Sequence, residues 1–539
     1  MMDRLPHALN GKVLYQIYPR SFFDSNNDGI GDIKGITKKL GYLRGDDYSL
    51  GVDIIWISPF YTSPMADFGY DVSNYLDVDP IFGTIDDFDE LLVEAHRRGL
   101  KVFIDFVPNH SSDEHPWFKE SRSNRKSQKR DWYVWKNPRN GAEPNNWQSM
   151  LGGPAWTYDE LTDQYYLHSF LSRQPDLNWD NPHVRAAMLE QMRFWLDKGV
   201  DGFRIDAVLW LSKDPAFRDE PLADEAERAK GNVTMRSYSQ AGPHLYEYLR
   251  QMADLIESYN NRFMVIEAYP NDWNDMVAYH EFYQQLNPKI SAPFNFAGIF
   301  APWEAHSFRS YIDTFLNKLD DTHLPIFCLG NHDRSRIASR FGPEASKTAA
   351  MLLLSLPGMP TLYYGDELGM TDQLILPHQV QDPYEKNLPG LGLGRDPFRT
   401  PMAWEDAPNA GFSARNPWLP TGESQQISVQ RQMQDPASLL NMYRQLIAVR
   451  SKNEAISVGD YKVINVHPHV FGFLRSTNKQ TAIVLLNFST ERVKLEHELV
   501  RGVVGVSTHQ RQPHETAGWI ELQPYEGVII FTGSLKNVV

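Results

Sequence analysis

The sequence predicts an α/β protein: a closed (β/α)8 TIM barrel with a subdomain inserted after its third strand and a C-terminal antiparallel β domain. Three observations support this. Short β-rich runs alternate with amphipathic stretches, one long interval interrupts the alternation, and the pattern after about residue 458 changes to period-two runs without helices. With 539 residues, the chain is long enough for a large barrel with attachments.

Eight β-rich runs predict the barrel strands. They are Val13–Tyr18, Asp53–Ser58, Lys101–Phe106, Gly202–Val208, Phe263–Ala268, Pro293–Phe296, Ile326–Leu329 and Thr361–Tyr364. Helical spacing of apolar residues predicts helices between several of them, such as Ile85–Arg98 and Val184–Lys198. Strands and helices that alternate eight times are typical of a closed barrel rather than an open sheet.

Two further units are predicted outside this alternation. The interval 110–174 is rich in Trp, Asn, Gly and Pro and is predicted to be a domain inserted into the barrel, whose two parts are then 1–109 and 175–457. A second irregular stretch, Leu374–Pro420, follows the eighth strand. The runs YKVINV, VFGFLRS, TAIVLLNF and GVIIFTG predict a β domain over 458–539.

Charge and composition limit the partners. The formal net charge of −15 disfavours nucleic acid and anionic membranes, so a small-molecule substrate is expected. No run is long and apolar enough to span a bilayer, and the N-terminal segment has no apolar core of a signal peptide. The single cysteine, Cys328, excludes an internal disulfide and fits a buried thiol in a cytoplasmic protein. A monomer or a homodimer fits equally well.

Acidic residues end three of the predicted strands. Asp206 closes the fourth strand, Glu267 the fifth, and Asp333 follows the seventh. Catalytic groups of such barrels lie at the carboxyl ends of the strands, so these acids are expected to meet at one rim. The period of two within GFRID places Arg204 and Asp206 on the same side of their strand.

This arrangement suits cleavage of a glycosidic bond, which needs one ionised and one protonated carboxyl group. Arg204 is expected to lower the pKa of Asp206 and keep it ionised. Glu267, between Ile266 and Ala268, has apolar neighbours that favour a protonated general acid. The alternative is a set of ion pairs that merely satisfy one another. Because several strands deliver such groups to one rim, catalysis is the preferred interpretation.

At these residues the sequence resembles the α-amylase superfamily, glycoside hydrolase family 13, in its α-glucosidase and oligo-1,6-glucosidase branch. The motifs occur in the family's order over residues 13 to 404. They are GVDIIWISPFYTSP (51–64), ADFGYDV (66–72), DFVPNH (105–110), QPDLNW (174–179), GFRIDAV (202–208), IEAY (266–269), GNHD (330–333) and RTPMAW (399–404).

The resemblance implies a role for each matching residue. Asp206 is the expected nucleophile, Glu267 the acid/base, and Asp333 the acid that binds sugar hydroxyls and helps to distort the ring. The implied substrate-binding residues are Asp67, Tyr70, His110, Phe170, Arg204, His332 and Arg399. Arg399 is expected to pair with Asp67, and Arg395 is the weaker candidate for that role.

The expected activity is that of a retaining, exo-acting α-glucosidase with some transglucosylation. In this branch, enzymes that prefer α-1,6 bonds tend to carry valine after the nucleophile. Ala207 therefore favours α-1,4 (maltose-type) substrates. The alternatives are an oligo-1,6-glucosidase, or a glucosyltransferase or isomerase acting on sucrose or maltose. No RLDRD-like segment of sucrose isomerases is present, and the NHDRSR context is unlike trehalose synthase. A third alternative is a non-enzymatic relative, such as the transporter-associated chains of this superfamily, which need a membrane span and often lack the catalytic acids. This sequence has no such span and contains all three acids.

The loop DSNNDGIGD (24–32) is a candidate cation site. Asp24, Asn26, Asp28, the Ile30 carbonyl and Asp32 alternate along it as in the first part of an EF-hand loop. An Asx- and Gly-rich turn would give the same pattern. Because the loop resembles the divalent-ion site of the oligo-1,6-glucosidase branch, one structural Ca²⁺ or Mg²⁺ is expected, and no organic cofactor.

Overall fold

The computed structural model describes residues 8–45, 48–229, 232–270, 272–422 and 424–532. Residues 1–7 of the N-terminal segment, for which no signal peptide is predicted, lie outside this part of the chain, as do residues 533–539 of the predicted β domain.

Eight parallel strands form the barrel. Their bounds are β1 Leu14–Ile17, β2 Ile54–Ile57, β3 Lys101–Phe106, β4 Gly202–Ile205, β5 Phe263–Ile266, β6 Ser291–Asn295, β7 Ile326–Phe327 and β8 Thr361–Tyr363. They pair in the order β7-β6-β5-β4-β3-β2-β1-β8, and a parallel bridge between Cys328 and Thr361 joins the two ends of this order. The predicted barrel is confirmed, and Cys328 is buried in it.

Each barrel strand is followed by one long helix. Their bounds are α1 Ile33–Leu43, α2 Ile85–Arg97, α3 Pro182–Lys198, α4 Leu245–Glu257, α5 Met276–Gln285, α6 Ala305–Leu316, α7 Pro343–Ser355 and α8 Leu439–Lys452. Helix α2 shows why they form: Thr84 and Asp87 make a capping box at its start, and Phe88 and Leu91 are buried on its inner face. No helix among the described residues is long and apolar enough to cross a bilayer.

Gly202 sets the distance between the strands that carry the acids. Strand β4 lies between β3 and β5, with Gly202 paired to Phe103 on one side and to Phe263 on the other. A Cβ atom at this position would lie 2.4 Å from the Phe263 carbonyl oxygen and 2.6 Å from the Phe103 ring. Only glycine allows this close approach, which aligns the carboxyl ends of the three strands.

The chain between β3 and α3 forms a small separate layer. It contains a helix, Pro116–Ser123, and a three-stranded sheet built from Trp135–Lys136, Gln164–Leu167 and Trp156–Asp159. A small core of its own lies around Trp147 and Trp156, against which Phe217 from the loop after β4 packs. This layer stands over the carboxyl ends of the strands and supplies one wall of the site described below.

A six-stranded antiparallel sheet forms the C-terminal domain, as predicted. Its strands are β9 Asp460–His467, β10 Val470–Ser476, β11 Thr481–Asn487, β12 Val493–Ser507, β13 His514–Leu522 and β14 Gly527–Thr532, in the order β9-β10-β11-β14-β12-β13. Arg475 on β10 is fully buried and donates to the Ser355 carbonyl at the end of α7 at 2.7 Å. This bond fastens the domain to the barrel.

Candidate active site

A cavity of about 560 Å³ opens at the carboxyl ends of the barrel strands. All but two of the predicted catalytic and substrate-binding residues line it: Asp67, Tyr70, His110, Phe170, Asp206, Glu267, His332 and Asp333. The two exceptions, Arg204 and Arg399, are buried behind the wall and hold its carboxylates in place. The structure thus brings together the acids from the ends of β4, β5 and β7.

The guanidinium of Arg204 joins three carboxylates beneath the cavity. Its Nη1 lies 2.6 Å from Asp105 Oδ1 and 2.5 Å from Asp206 Oδ1, and its Nη2 is paired with Glu267 Oε1. All four side chains are buried. The expected nucleophile and the expected acid/base are therefore held at the two ends of one rigid, planar cation.

Arg204 lowers the pKa of Asp206, as expected, but this effect is outweighed. Burial raises the pKa of Asp206 well above its usual value; Arg204 opposes burial, while Glu267 and Asp105 add to the rise. Burial also raises the pKa of Asp105 to about 7. The physical reason is that one guanidinium faces three carboxylates, not the single partner that the strand pattern indicates. The cluster therefore retains a shared proton near neutral pH.

Asp333 behaves in the opposite way. Burial alone would raise its pKa, but His332, Arg399 and Arg395 outweigh burial and hold the pKa of Asp333 well below its usual range. Arg399 Nη2 lies 2.9 Å and Arg395 Nη1 3.4 Å from Asp333 Oδ1. Asp333 is thus an ionised hydrogen-bond acceptor at the cavity wall.

Tyr70, His110 and His332 form the polar wall of the inner cavity. The Tyr70 ring stacks on His332 with the planes 4° apart, and its hydroxyl lies 2.7 Å from His332 Nε2. Burial lowers the pKa of His110 to about 4, so its ring is neutral at physiological pH. Gln174, from the QPDLNW motif, lies 3.2 Å from His110 Nε2 and 3.3 Å from Asp67 Oδ2. Gln174 was not among the predicted site residues, although it begins the QPDLNW motif.

The expected pairing of Arg399 with Asp67 is wrong. Arg395 Nη2 lies 2.6 Å from Asp67 Oδ1, whereas Arg399 bonds to Asp333 and to the His332 carbonyl. Asp382 decides between the two arginines, because it binds both the backbone N–H and the side chain of Arg395 and so aims it at Asp67. Both arginines flank one short helical turn, and four residues of spacing could not distinguish them.

Ala207, directly after Asp206, has a left-handed backbone (φ 48°, ψ 38°). Its N–H donates to Glu267 Oε2 at 2.8 Å, so the turn that ends β4 also positions the carboxylate of β5. A β-branched residue would be strained in this conformation. Residue 207 therefore links the local backbone of the expected nucleophile to the expected acid/base.

The outer part of the cavity comes from loops and was not predicted. Its wall includes residues of the inserted layer, the loop after β4 and the loops after β5 to β8: Met150, Leu151, Trp210, Arg236, Trp273, Phe300, Arg334, Tyr384 and Leu393. No motif or strand end marks these positions. Among these residues, only Arg334 could have been predicted to lie near the site, because it directly follows Asp333 in the sequence.

The proposed cation loop uses its carboxylates within the loop. Asp24 accepts from the backbone N–H groups of Asn26, Asn27 and Gly29. Asp32 caps helix α1 through Gly35 N–H and also accepts from Ser25. No three His, Cys, Asp or Glu side chains converge as a metal cluster anywhere in the described chain. The oxygen-rich donor set suits Ca²⁺ or Mg²⁺, but these carboxylates do not form a cage in this structure.

Comparison with known proteins places this geometry in a family. The α-amylase catalytic-domain family matches residues 16–459. A probable α-glucosidase of Rhizobium meliloti is 40% identical over 518 residues, which is 91% of each chain. An oligo-1,6-glucosidase of Parageobacillus thermoglucosidasius is 38% identical, over 88% of this chain and 90% of that one.

Two solved structures extend the likeness to the fold. An α-glucosyl transfer enzyme has a TM-score of 0.91 and 36% identity, and the match covers 98% of this chain and 100% of that one. The trehalulose synthase of Pseudomonas mesoacidophila MX-45 has a TM-score of 0.87 and 35% identity, over 97% and 98% of the two chains. These similarities cover the barrel, the inserted layer and the C-terminal sheet together.

The shared proton gives a prediction for pH dependence. Asp105→Asn removes one of three negative charges around Arg204, so the remaining carboxylates ionise more easily. The proton held by the cluster is then lost at lower pH, and the alkaline limb of the kcat/KM profile should move down by about one pH unit. Asp163→Asn, an exposed carboxylate of the inserted layer, is the control. An alkaline limb that stays in place in Asp105→Asn would contradict the shared-proton cluster.

Proposed function

Because the chain belongs to the α-amylase family of glycoside hydrolases, we propose that it is a retaining, exo-acting α-glucosidase that releases α-glucose from short α-1,4-linked substrates. Its relatives are α-glucosidases and oligo-1,6-glucosidases, so glycoside hydrolysis is its activity class. The main support for this finer proposal is that Asp206 and Glu267 are both paired with the guanidinium of Arg204. The cavity beside them is bounded by the ion pair between Arg395 and Asp67.

The mechanism follows from this arrangement. Asp206 attacks the anomeric carbon while Glu267 gives its proton to the leaving oxygen, which forms a β-glucosyl ester. Glu267 then takes a proton from water, which displaces Asp206 and restores the α-configuration. Retaining enzymes place the two carboxyl groups about 5–5.5 Å apart, and inverting enzymes about 6.5–9.5 Å apart. Two carboxylates on the same guanidinium favour the shorter separation.

Exo-action is proposed from the inner part of the cavity. Arg395 ties Asp67 to Asp382 at 2.6 and 2.7 Å, and these residues stand where the resemblance places the non-reducing glucose. Tyr70 stacks beside them on His332. A cavity bounded in this way admits the end of a sugar chain and excludes its middle.

Two alternatives use the same carboxylates. An oligo-1,6-glucosidase differs only in the linkage that the outer cavity accepts, and several relatives carry that name. A transferase or isomerase would let a sugar or another alcohol displace water, and the solved structures similar to this chain include a glucosyl transfer enzyme and a trehalulose synthase. Hydrolysis with incidental transglucosylation remains the preferred proposal, because water can enter from the open outer part.

A cytoplasmic location is also proposed. Its support is the single cysteine, which is buried on the barrel wall and fits a reducing compartment. Fractionation of the native host, with an assay for α-glucosidase activity in each fraction, tests it.

Replacement of the nucleophile gives the main test. Asp206→Asn should lower kcat on p-nitrophenyl α-glucoside by several orders of magnitude, because no ester can form. The circular dichroism spectrum should remain that of the native enzyme. NMR of fresh product from the wild type should show α-glucose first. Retained turnover in Asp206→Asn, or β-glucose as the first product, would refute the mechanism.

The linkage prediction depends on Ala207. Ala207→Val adds two methyl groups beside the leaving group and strains a left-handed backbone, so the ratio of kcat/KM for maltose over isomaltose should fall about tenfold. The melting temperature should fall as well. Ala207→Gly, which relieves the strain and adds no bulk, is the control and should keep the ratio. A wild-type preference for isomaltose would overturn the interpretation of Ala207.

The structural cation remains a proposal that binding experiments decide. After EDTA treatment, addition of Ca²⁺ or Mg²⁺ should raise the melting temperature if the 24–32 loop rearranges into an oxygen cage. Asp24→Asn should abolish that rise, whereas Asp219→Asn, on the exposed rim of the inserted layer, should not. Equal melting temperatures with EDTA and with either cation would exclude the site.

A further inference from the structure

Two arginines in the outer cavity form no ion pair within the part of the chain that the structure describes. Arg236, in the loop after β4, lines the cavity and is half-buried, and no hydrogen bond or ion pair joins its guanidinium to another described residue. Burial lowers the pKa of Arg236, and the charges of Tyr384, Glu227 and Glu220 only partly offset this effect. Arg334, directly after Asp333, is exposed at the cavity; its guanidinium lies 5.1 Å from the centre of the Phe300 ring, and it forms no ion pair within the described chain.

The other cations in and around the site form ion pairs with carboxylates. Arg204 holds three carboxylates, Arg399 holds Asp333, and Lys213 lies 2.7 Å from Asp176 Oδ2. Arg395, which also lines the cavity, is paired with Asp67, Asp333 and Asp382. Arg236 and Arg334 therefore differ from the other cations named here, each of which forms an ion pair with at least one carboxylate.

A half-buried guanidinium without an ion pair is partly dehydrated, and a bound anion would compensate for that loss. The protein carries a formal net charge of −15, so carboxylates are abundant, yet neither arginine is paired with one. Glu227 also lines the cavity and raises the pKa of Arg236 through its charge, but no ion pair joins the two, and its Oε2 accepts a hydrogen bond from Asn232 at 2.6 Å. Arg236 and Arg334 are thus available to a ligand.

We propose that Arg236 and Arg334 form a subsite for a negatively charged group, a carboxylate or a phosphate, on the leaving part of the glucoside. This inference rests on the proposed function, which places the non-reducing glucose among Asp67, Asp206 and Asp333. That inner region is crowded with carboxylates and repels an anion. The two arginines face the outer part, where the aglycone lies. The substrates of choice are α-glucosides of a sugar acid or of a sugar phosphate.

Two disaccharides whose second unit is an open chain test whether the subsite binds a carboxylate. Maltobionate and maltitol carry the same α-1,4-linked glucose and differ in an aglycone that ends in a carboxylate or in an alcohol. The ratio of kcat/KM for maltobionate over maltitol should be about tenfold in the wild type at low salt. This ratio should fall as NaCl is added, because salt screens the attraction between the arginines and the carboxylate. To test binding of a phosphate, kcat/KM is compared between maltose that bears a 6-phosphate on its reducing glucose and maltose itself.

Variants assign the preference to the two residues. In the double variant Arg236→Gln, Arg334→Gln, the ratio should fall to about one, and the corresponding lysine variants should keep part of it. Glu227→Gln should raise the ratio. The control is Arg139→Gln, which removes the same charge from the rim of the inserted layer, where Arg139 pairs with Asp219. It should leave the ratio at the wild-type value.

The outcomes separate this inference from the proposed function. Hydrolysis of maltitol and maltose without any preference for either charged analogue overturns the arginine subsite and leaves the α-glucosidase proposal standing. If no disaccharide is cleaved, calorimetric titration of maltobionate and maltitol into Asp206→Asn still decides the question. About tenfold tighter binding of maltobionate, lost with Arg236→Gln and Arg334→Gln, supports the subsite; equal affinity of the two ligands refutes it.

Discussion

The site depends on one buried cation. Arg204 binds Asp105 from β3, Asp206 from β4 and Glu267 from β5, so three neighbouring strands meet at a single guanidinium. A buried group of one positive and three negative charges is stable only if it is partly protonated and well hydrogen-bonded. Trp56 and Tyr70 donate to Asp105, and the Ala207 N–H donates to Glu267. Burial raises the pKa values of Asp105 and Asp206, and these hydrogen bonds hold the carboxylates in place.

Backbone constraints make this cluster possible. Gly202 lets β4 approach both neighbours closely, and the left-handed turn at Ala207 directs an N–H group to the carboxylate of the next strand. Neither residue reacts with substrate. Each fixes a distance or a direction on which the reacting groups depend, so a substitution there alters catalysis by changing geometry.

The rest of the cavity is assembled from segments that are far apart in sequence. Asp67, Asp333, Asp382 and Arg395 form one ion-pair network on its inner side. The inserted layer and the loops after β4 to β8 supply the outer wall. The strand ends thus carry the buried carboxylates, and the loops carry the residues of the outer wall. This division lets relatives of one fold differ in substrate and in reaction.

The sequence by itself determined the barrel, the inserted layer, the C-terminal sheet and most of the residues that line the inner cavity. Periodicity and short motifs are local, and a closed barrel brings the ends of its strands to one rim. Three things were decided only by the tertiary structure: which arginine meets Asp67, how many carboxylates share Arg204, and which loop residues face the aglycone. Each depends on distances between segments tens to hundreds of residues apart. Asp382 directs Arg395, and Asp105 and Glu267 compete with Asp206 for one cation. Arg236 and Arg334 come to line one cavity only in the folded chain.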